Sequence, residues 1–267
     1  MSHGLALAGI GWLLAAVVMA LLWGGHLRLK NAALVDPGWT GLVAALAIID
    51  ACYGDGAPAR RSAIGFMMGS WGARLTIYLL YDRVLGRPED GRFVELRRRF
   101  GARATTRFFW FFQAQAFAAA LFSLPALLAT SNDAPQLSAI EYIAAALWIV
   151  AFTGETTADR QLLHFKMDLE NRGKVCRSGL WRVSRHPNYF FEWIMWVAYA
   201  LFASAAPWGW LAFVCPAIML VLLLKVTGIP ASEAQALRSR GDAYTQYQET
   251  TSAFVPWQPR AEKRTVG

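Results

Sequence analysis

Apolar residues dominate seven stretches of the chain, 4–23, 33–53, 62–82, 108–130, 138–157, 188–204 and 208–228. A helix that crosses a bilayer needs about 20 mostly apolar residues in a row. The pattern therefore predicts an all-α, polytopic integral membrane protein with seven transmembrane helices. Two stretches match less well: 62–82 holds Arg74, and 188–204 opens on polar residues. Two long polar connections stand out. In 83–107, Phe93, Leu96 and Phe100 fall at helical spacing within Glu-Leu-Arg-Arg-Arg-Phe-Gly and its neighbours. That pattern reads as an amphipathic helix lying at the lipid headgroups, with a lid over a cofactor as the other use. The connection 158–187 begins by continuing the fifth helix, and Asn171-Arg172-Gly173-Lys174 marks a turn. The tail, 229–257, resumes at Pro230 near a helix start. Its aromatic residues suggest packing under the membrane domain. The whole reads as a single membrane domain, four helices in residues 1–130 and three helices plus the tail in 131–267.

Composition agrees with this pattern. Hydrophobic residues make up 56% of the 267 and charged ones 16%, against about 25% charged in ordinary soluble domains. Charge adds the orientation. When alternate connections are assigned to one side, all of the 26 Lys and Arg except Arg60, Arg61 and Arg74 lie on or next to that side. The positive-inside rule makes it cytoplasmic, with the N-terminus outside and the C-terminus inside. The net charge of +8 then reflects contact with membrane lipids, not with nucleic acid. Residues 4–23 read as a retained helix, because a secretory signal would carry Lys or Arg ahead of its apolar core. Cys52, Cys176 and Cys215 have no paired spacing, and the four histidines form no metal-ligand pattern. No metal site and no obligate protein partner is expected. Soluble nucleotide-binding motifs are absent too, so a cofactor would occupy a cavity between helices on the cytoplasmic side.

Charged groups at membrane depth cost about 2.5–3.5 kcal/mol each on insertion scales and so point to function. Asp36 and Asp50 stand at opposite ends of helix two. Arg74 lies inside helix three, with Tyr78 one turn on. The densest chemistry is in 178–192, Ser-Gly-Leu-Trp-Arg-Val-Ser-Arg-His-Pro-Asn-Tyr-Phe-Phe-Glu. Pro187 suits a first helical position, Asn188 and Glu192 are one turn apart, and Arg185 stands just outside the helix start. A helix N-terminus beside an arginine is a ready phosphate site. Plainer uses are also open. Asn188 and Glu192 serve equally as polar glue between helices, Trp181, Trp193 and Trp196 as interfacial belt residues, and Arg177 and Arg182 as headgroup contacts.

This stretch resembles the C-terminal signature of the membrane steroid 5α-reductase-like proteins, including their bacterial relatives of undefined substrate. The detailed likeness covers about residues 150–257. The Arg-His-Pro-Asn-Tyr core is also similar to that of the membrane sterol reductases, and a looser Arg-His-Pro-x-Tyr occurs in isoprenylcysteine and phospholipid methyltransferases. The Asn-Tyr-x-x-Glu continuation favours the reductases. The resemblance implies a bacterial inner-membrane protein that uses NADPH to saturate a carbon–carbon double bond conjugated to a carbonyl, in an apolar enone such as a 3-oxo-Δ4 steroid. It places Asp159, Asn188 and Glu192 at family cofactor-binding positions, and Lys166 and Lys174 where the family uses arginines. Arg172 and Arg185 join them as cationic candidates for the phosphates. Glu155 stands where the animal reductases have an asparagine, and Lys225, Glu233 and Tyr244 are the approximate matches in the tail. The family's catalytic pair is a glutamate in helix two and a tyrosine in helix three. Here Trp71 falls near the tyrosine's place, and helix two offers Asp36 and Asp50 instead of a glutamate. Tyr78, Arg74 and Asp36 are thus the candidates for polarising the carbonyl. Residues 1–130 would form the substrate side and 131–267 the cofactor side. Two other readings are a lipid or prenylcysteine methyltransferase using S-adenosylmethionine, and a non-catalytic sterol- or lipid-binding protein.

Overall fold

A computed structural model describes residues 2–261. The chain is all-helical. The helices are α1 (Ser2–Leu29), α2 (Val35–Tyr53), α3 (Pro58–Leu79), α4 (Gly91–Phe100), α5 (Ala104–Phe122), α6 (Leu124–Ala129), α7 (Ala139–Met167), α8 (Pro187–Ala203), α9 (Val214–Val221), α10 (Ile229–Arg240) and α11 (Asp242–Thr250). Five helical stretches are long and apolar enough to cross a membrane, His3–Leu29, Ala32–Tyr53, Gly91–Ala129, Ala139–Met167 and Gly209–Arg240. This is a multi-pass membrane protein. Two of the seven apolar stretches fall outside that set. The first, α3, mixes Arg74 with glycine, serine and threonine, and the second, α8, has only 17 residues.

The chain divides into two compact units. One comprises Met1–Ile143 and Tyr199–Cys215. In it α1 lies along α5, and α2 along α3 and α5. Trp71, fully buried on α3, meets Trp39 edge-on at 6.3 Å and Tyr199 at 6.4 Å. The Tyr199 hydroxyl donates to the Met67 carbonyl at 3.3 Å. Arg60 departs from the sequence expectation: it sits in the first turn of α3 instead of a solvated connection, and only 2% of its side chain is exposed. It pairs through Nε with the fully buried Glu141, and its Nη atoms reach the Ala134 and Gln136 carbonyls at 2.6 and 2.8 Å. The Ser138 amide and hydroxyl each donate to the Glu141 carboxylate at 2.8 Å. Burying two charges costs several kcal/mol apiece, which only full pairing offsets; here every partner comes from the 132–141 segment. The expectation for α4 also changes. Its apolar face packs on α5 and not on lipid, Phe93 against Phe111 and Phe100 against Phe108, while Arg97 lies over the Phe108 ring at 4.8 Å.

The second unit comprises Ala144–Ala198 and Pro216–Gly267, described as far as residue 261. Gly154 sets the approach of α7 to α8, because a β-carbon there would lie 2.5 Å from the Phe191 ring. The helix continues past the apolar stretch to Met167, as expected, and Gly173 makes the following turn at φ 80°. Trp181 and Trp196 are buried instead of interfacial. Their indole N–H groups donate to the Ala158 carbonyl and the Glu192 carboxylate at 2.9 and 2.8 Å. Arg177 likewise faces protein, not headgroups, donating to the Ala243 carbonyl at 2.8 Å and covering the Tyr247 ring.

Candidate functional site

Helices α7 and α8 bring polar side chains together in a layer that should be apolar. Glu155 and Asp159 are one turn apart on α7 and are 3% and 5% exposed. Pro187 starts α8 with a φ suited to the first turn, which makes Asn188 the second residue of that helix. The Asn188 amide nitrogen donates to Asp159 Oδ1 at 3.2 Å. One turn on, Glu192 is buried and holds the Trp196 indole. Asn188 Oδ1 is buried with no hydrogen-bond partner. Such an orphaned acceptor costs about 1–3 kcal/mol, and a donor from a bound molecule would remove that cost. Lys166, Arg172 and Lys174 are exposed at the end of α7 and in the turn beyond it.

The Arg-His-Pro residues do something else. Arg185 is nearly buried, and its guanidinium is engaged. It donates to Glu233 Oε1 at 2.7 Å and to the Gln248 and Thr251 carbonyls at 3.1 and 2.5 Å. Glu233 also receives the Gln248 amide at 2.7 Å and lies 3.4 Å from the His186 imidazole. That imidazole stacks on Tyr189 at 5.2 Å and 7°. Burial holds its pKa below the ordinary histidine range, outweighing the pull of Glu233. The Tyr247 hydroxyl donates to the Trp181 and Ser184 carbonyls. Tyr244 packs with Tyr247, Ala236 and Val175, and burial raises its hydroxyl to about 12. These contacts clamp α10, α11 and residues 251–254 to the loop before α8. Lys225 is exposed in the π-helical turn Leu222–Val226 that follows α9.

In the other unit, Tyr78 and Arg74 are half-buried one turn apart on α3. Asp36, in the first turn of α2, accepts from Arg83 and, at 3.0 Å, from Arg92, which also pairs with Asp90 at 3.0 Å. A π-helical turn, Leu80–Val84, places Arg83 there. Asp36 is thus the centre of an ionic cluster joining the ends of α2, α3 and α4. Sequence reasoning passed over its partners Asp90 and Arg92, and also Glu89, which holds the Ala32 amide at 2.8 Å and Arg97 at 2.7 Å. Their signal was the acidic pair Glu89-Asp90 set in an otherwise basic connection.

The chain matches, over residues 22–251, the model of a family described as "Protein of unknown function (DUF1295)". An uncharacterized protein of Schizosaccharomyces pombe, C594.04c, is 28% identical over 222 residues, which cover 74% of this chain and 64% of that protein. The chain therefore spans just under two thirds of that relative's length. No solved structure matches.

Proposed function

The chain belongs to the DUF1295 family, a steroid 5α-reductase-like family of membrane proteins, and from that premise we propose an NADPH-dependent membrane reductase. It saturates a carbon–carbon double bond conjugated to a carbonyl in an apolar substrate of the 3-oxo-Δ4 steroid kind. The observation that carries this reading is the Asp159–Asn188 pair with its orphaned, buried Oδ1. A carboxylate and a free amide oxygen suit a ligand rich in donors, as the ribose hydroxyls and carboxamide of a nicotinamide nucleotide are. Asp159, Asn188, Glu155 and Glu192 would hold the uncharged part, and Lys166, Arg172 and Lys174 would neutralise the phosphates, including the 2′-phosphate that separates NADPH from NADH. Arg185, Glu233 and Tyr244 support this site by fixing the tail.

NADPH supplies the hydride, which adds to the β-carbon of the enone. The protein's share is to orient the substrate and to stabilise the charge that develops on the carbonyl oxygen. Tyr78 is the hydroxyl donor for that oxygen, with Arg74 one turn behind it. Asp36, neutralised by Arg83 and Arg92, positions the ends of the helices that carry them. The topology goes with this reading: seven spans, α3 and α8 included, with the N-terminus outside and the C-terminus cytoplasmic. The test of the activity is NADPH oxidation by purified protein against a panel of 3-oxo-Δ4 steroids and simpler apolar enones. Turnover with a product reduced at the double bond is expected. Tight NADPH binding with no enone turned over would reject this substrate class and favour the non-catalytic reading.

A methyltransferase using S-adenosylmethionine would share Arg-His-Pro-x-Tyr and the Glu233…Gly241-Asp242-x-Tyr244-x-x-Tyr247 tail. Here Arg185, Glu233 and Tyr247 bind one another's loops, so a common fold accounts for the shared motif without a shared cofactor.

A further inference from the structure

The proposed reaction makes no use of a cavity of about 350 Å³ on the hairpin of α2 and α3. Its lining includes Ile48, Ala51 and Cys52 from the end of α2 and Arg61, Ser62 and Phe66 from the start of α3. That volume is in the range of sites for small molecules. The groove is asymmetric. Its deeper part is apolar and open to the side, with Ile48 47% and Phe66 67% exposed. On a membrane-embedded hairpin that side faces lipid. Gly65 keeps the two helices close beneath it, because a β-carbon there would sit 2.7 Å from that of Ala51.

The mouth is polar, and its groups are fixed but not used up. Arg61 donates through Nε to the Ala51 carbonyl and through Nη2 to the Cys52 carbonyl, both at 2.7 Å. It thereby caps the C-terminal end of α2 and is held in one orientation, leaving Nη1 without a protein partner. The exposed Ser62 hydroxyl makes no hydrogen bond, although a helical serine has the carbonyl one turn back within reach. Asp55, in the intervening loop, is turned to His3 at 3.7 Å. An oriented guanidinium with a spare donor beside a spare hydroxyl is complementary to a phosphate oxygen pair. An apolar groove running inward from it is complementary to an acyl chain.

We propose that this groove binds one membrane phospholipid, its phosphate on Arg61 and Ser62 and one acyl chain along Ile48 and Phe66. On the orientation given above the lipid comes from the non-cytoplasmic leaflet. Binding is independent of the reductase site and does not rest on that reading.

Cys52 makes the occupancy measurable, because it lines the groove and is exposed while Cys176 and Cys215 are buried. The full chain in detergent is reacted with a maleimide, and labelling of Cys52 is followed by peptide mass spectrometry. Added lipids are phosphatidylglycerol, a diacylglycerol with the same chains, and glycerol 3-phosphate. Phosphatidylglycerol at several times its Kd should slow Cys52 labelling about fivefold by simple occupancy, with little effect from the other two. Arg61→Gln and Ser62→Ala should each weaken that protection. Should Arg61→Gln fail to fold, because it removes a helix cap, Ser62→Ala decides, since that hydroxyl supports nothing in the fold. No protection by phosphatidylglycerol would overturn the proposal. So would equal protection by diacylglycerol, or full protection in Ser62→Ala.

Discussion

Replacing Arg185 by lysine separates two uses of the Arg-His-Pro motif. As a phosphate ligand the residue acts chiefly by charge, which lysine keeps. As an anchor it acts by a fork of three bonds, to Glu233 at 2.7 Å, to the Gln248 carbonyl at 3.1 Å and to the Thr251 carbonyl at 2.5 Å. A single ammonium group cannot meet all three, because they radiate from different guanidinium nitrogens. Two charge-assisted bonds are lost, and at about 1.5–3 kcal/mol each the cost is about 3–6 kcal/mol before the loop relaxes. Arg185→Lys should therefore lower the unfolding temperature without ligand and open the tail to limited proteolysis within residues 230–257. NADPH affinity of the folded fraction should change by less than about tenfold, the equivalent of 1.4 kcal/mol. An unaltered unfolding temperature with a larger loss of NADPH affinity would refute the anchor and restore Arg185 as a phosphate ligand.

Three further outcomes follow from the same contacts. Glu141→Gln strips the counter-charge from buried Arg60 and should cost about 3–5 kcal/mol in chemical unfolding, while the double change Arg60→Met with Glu141→Leu should recover most of it; equal losses in both would contradict the pairing. His186 has a folded pKa below its unfolded value of 6.5, so below that pH the unfolded chain takes up the proton first and stability falls with acidification. His186→Gln should flatten the drop in unfolding temperature between about pH 7 and about pH 5, and an unchanged slope would remove His186 as its source. Tyr78→Phe should slow hydride transfer about 10²–10³-fold, the usual cost of one oxyanion donor, with NADPH affinity unchanged; normal turnover would shift the role to Arg74.

Much of the fold was legible in the sequence because helix length and apolarity are local properties. The run to Met167 in α7, the turn at Gly173 and the restart of the chain beside Pro230 are read directly from residue order. The site residues on α7 and α8 were legible for a different reason. Glu155, Asp159, Asn188 and Glu192 share faces by helical spacing, and only the juxtaposition of the two faces awaited the structure. Long-range pairing was not legible. Nothing local says that Arg60 is fully neutralised 81 residues away by Glu141, or that Arg185 spends its donors on a tail 48 to 66 residues on. The tryptophans misled for a related reason. An aromatic residue near a helix end suits the membrane interface, but the partner for the Trp181 N–H, the Ala158 carbonyl, lies 23 residues back in the chain.

The central claim is that the α7–α8 layer holds NADPH. It is tested most directly by thermal unfolding of the purified protein with NADPH, NADH and S-adenosylmethionine, beside Asn188→Ala and Asp159→Ala. Ligand at about 100 times its Kd should add about 2.7 kcal/mol. NADPH should stabilise the wild-type chain more than NADH does, S-adenosylmethionine should have no effect, and both variants should lose the NADPH response while unfolding normally without ligand. Stabilisation by S-adenosylmethionine alone, or an NADPH response intact in both variants, would contradict it.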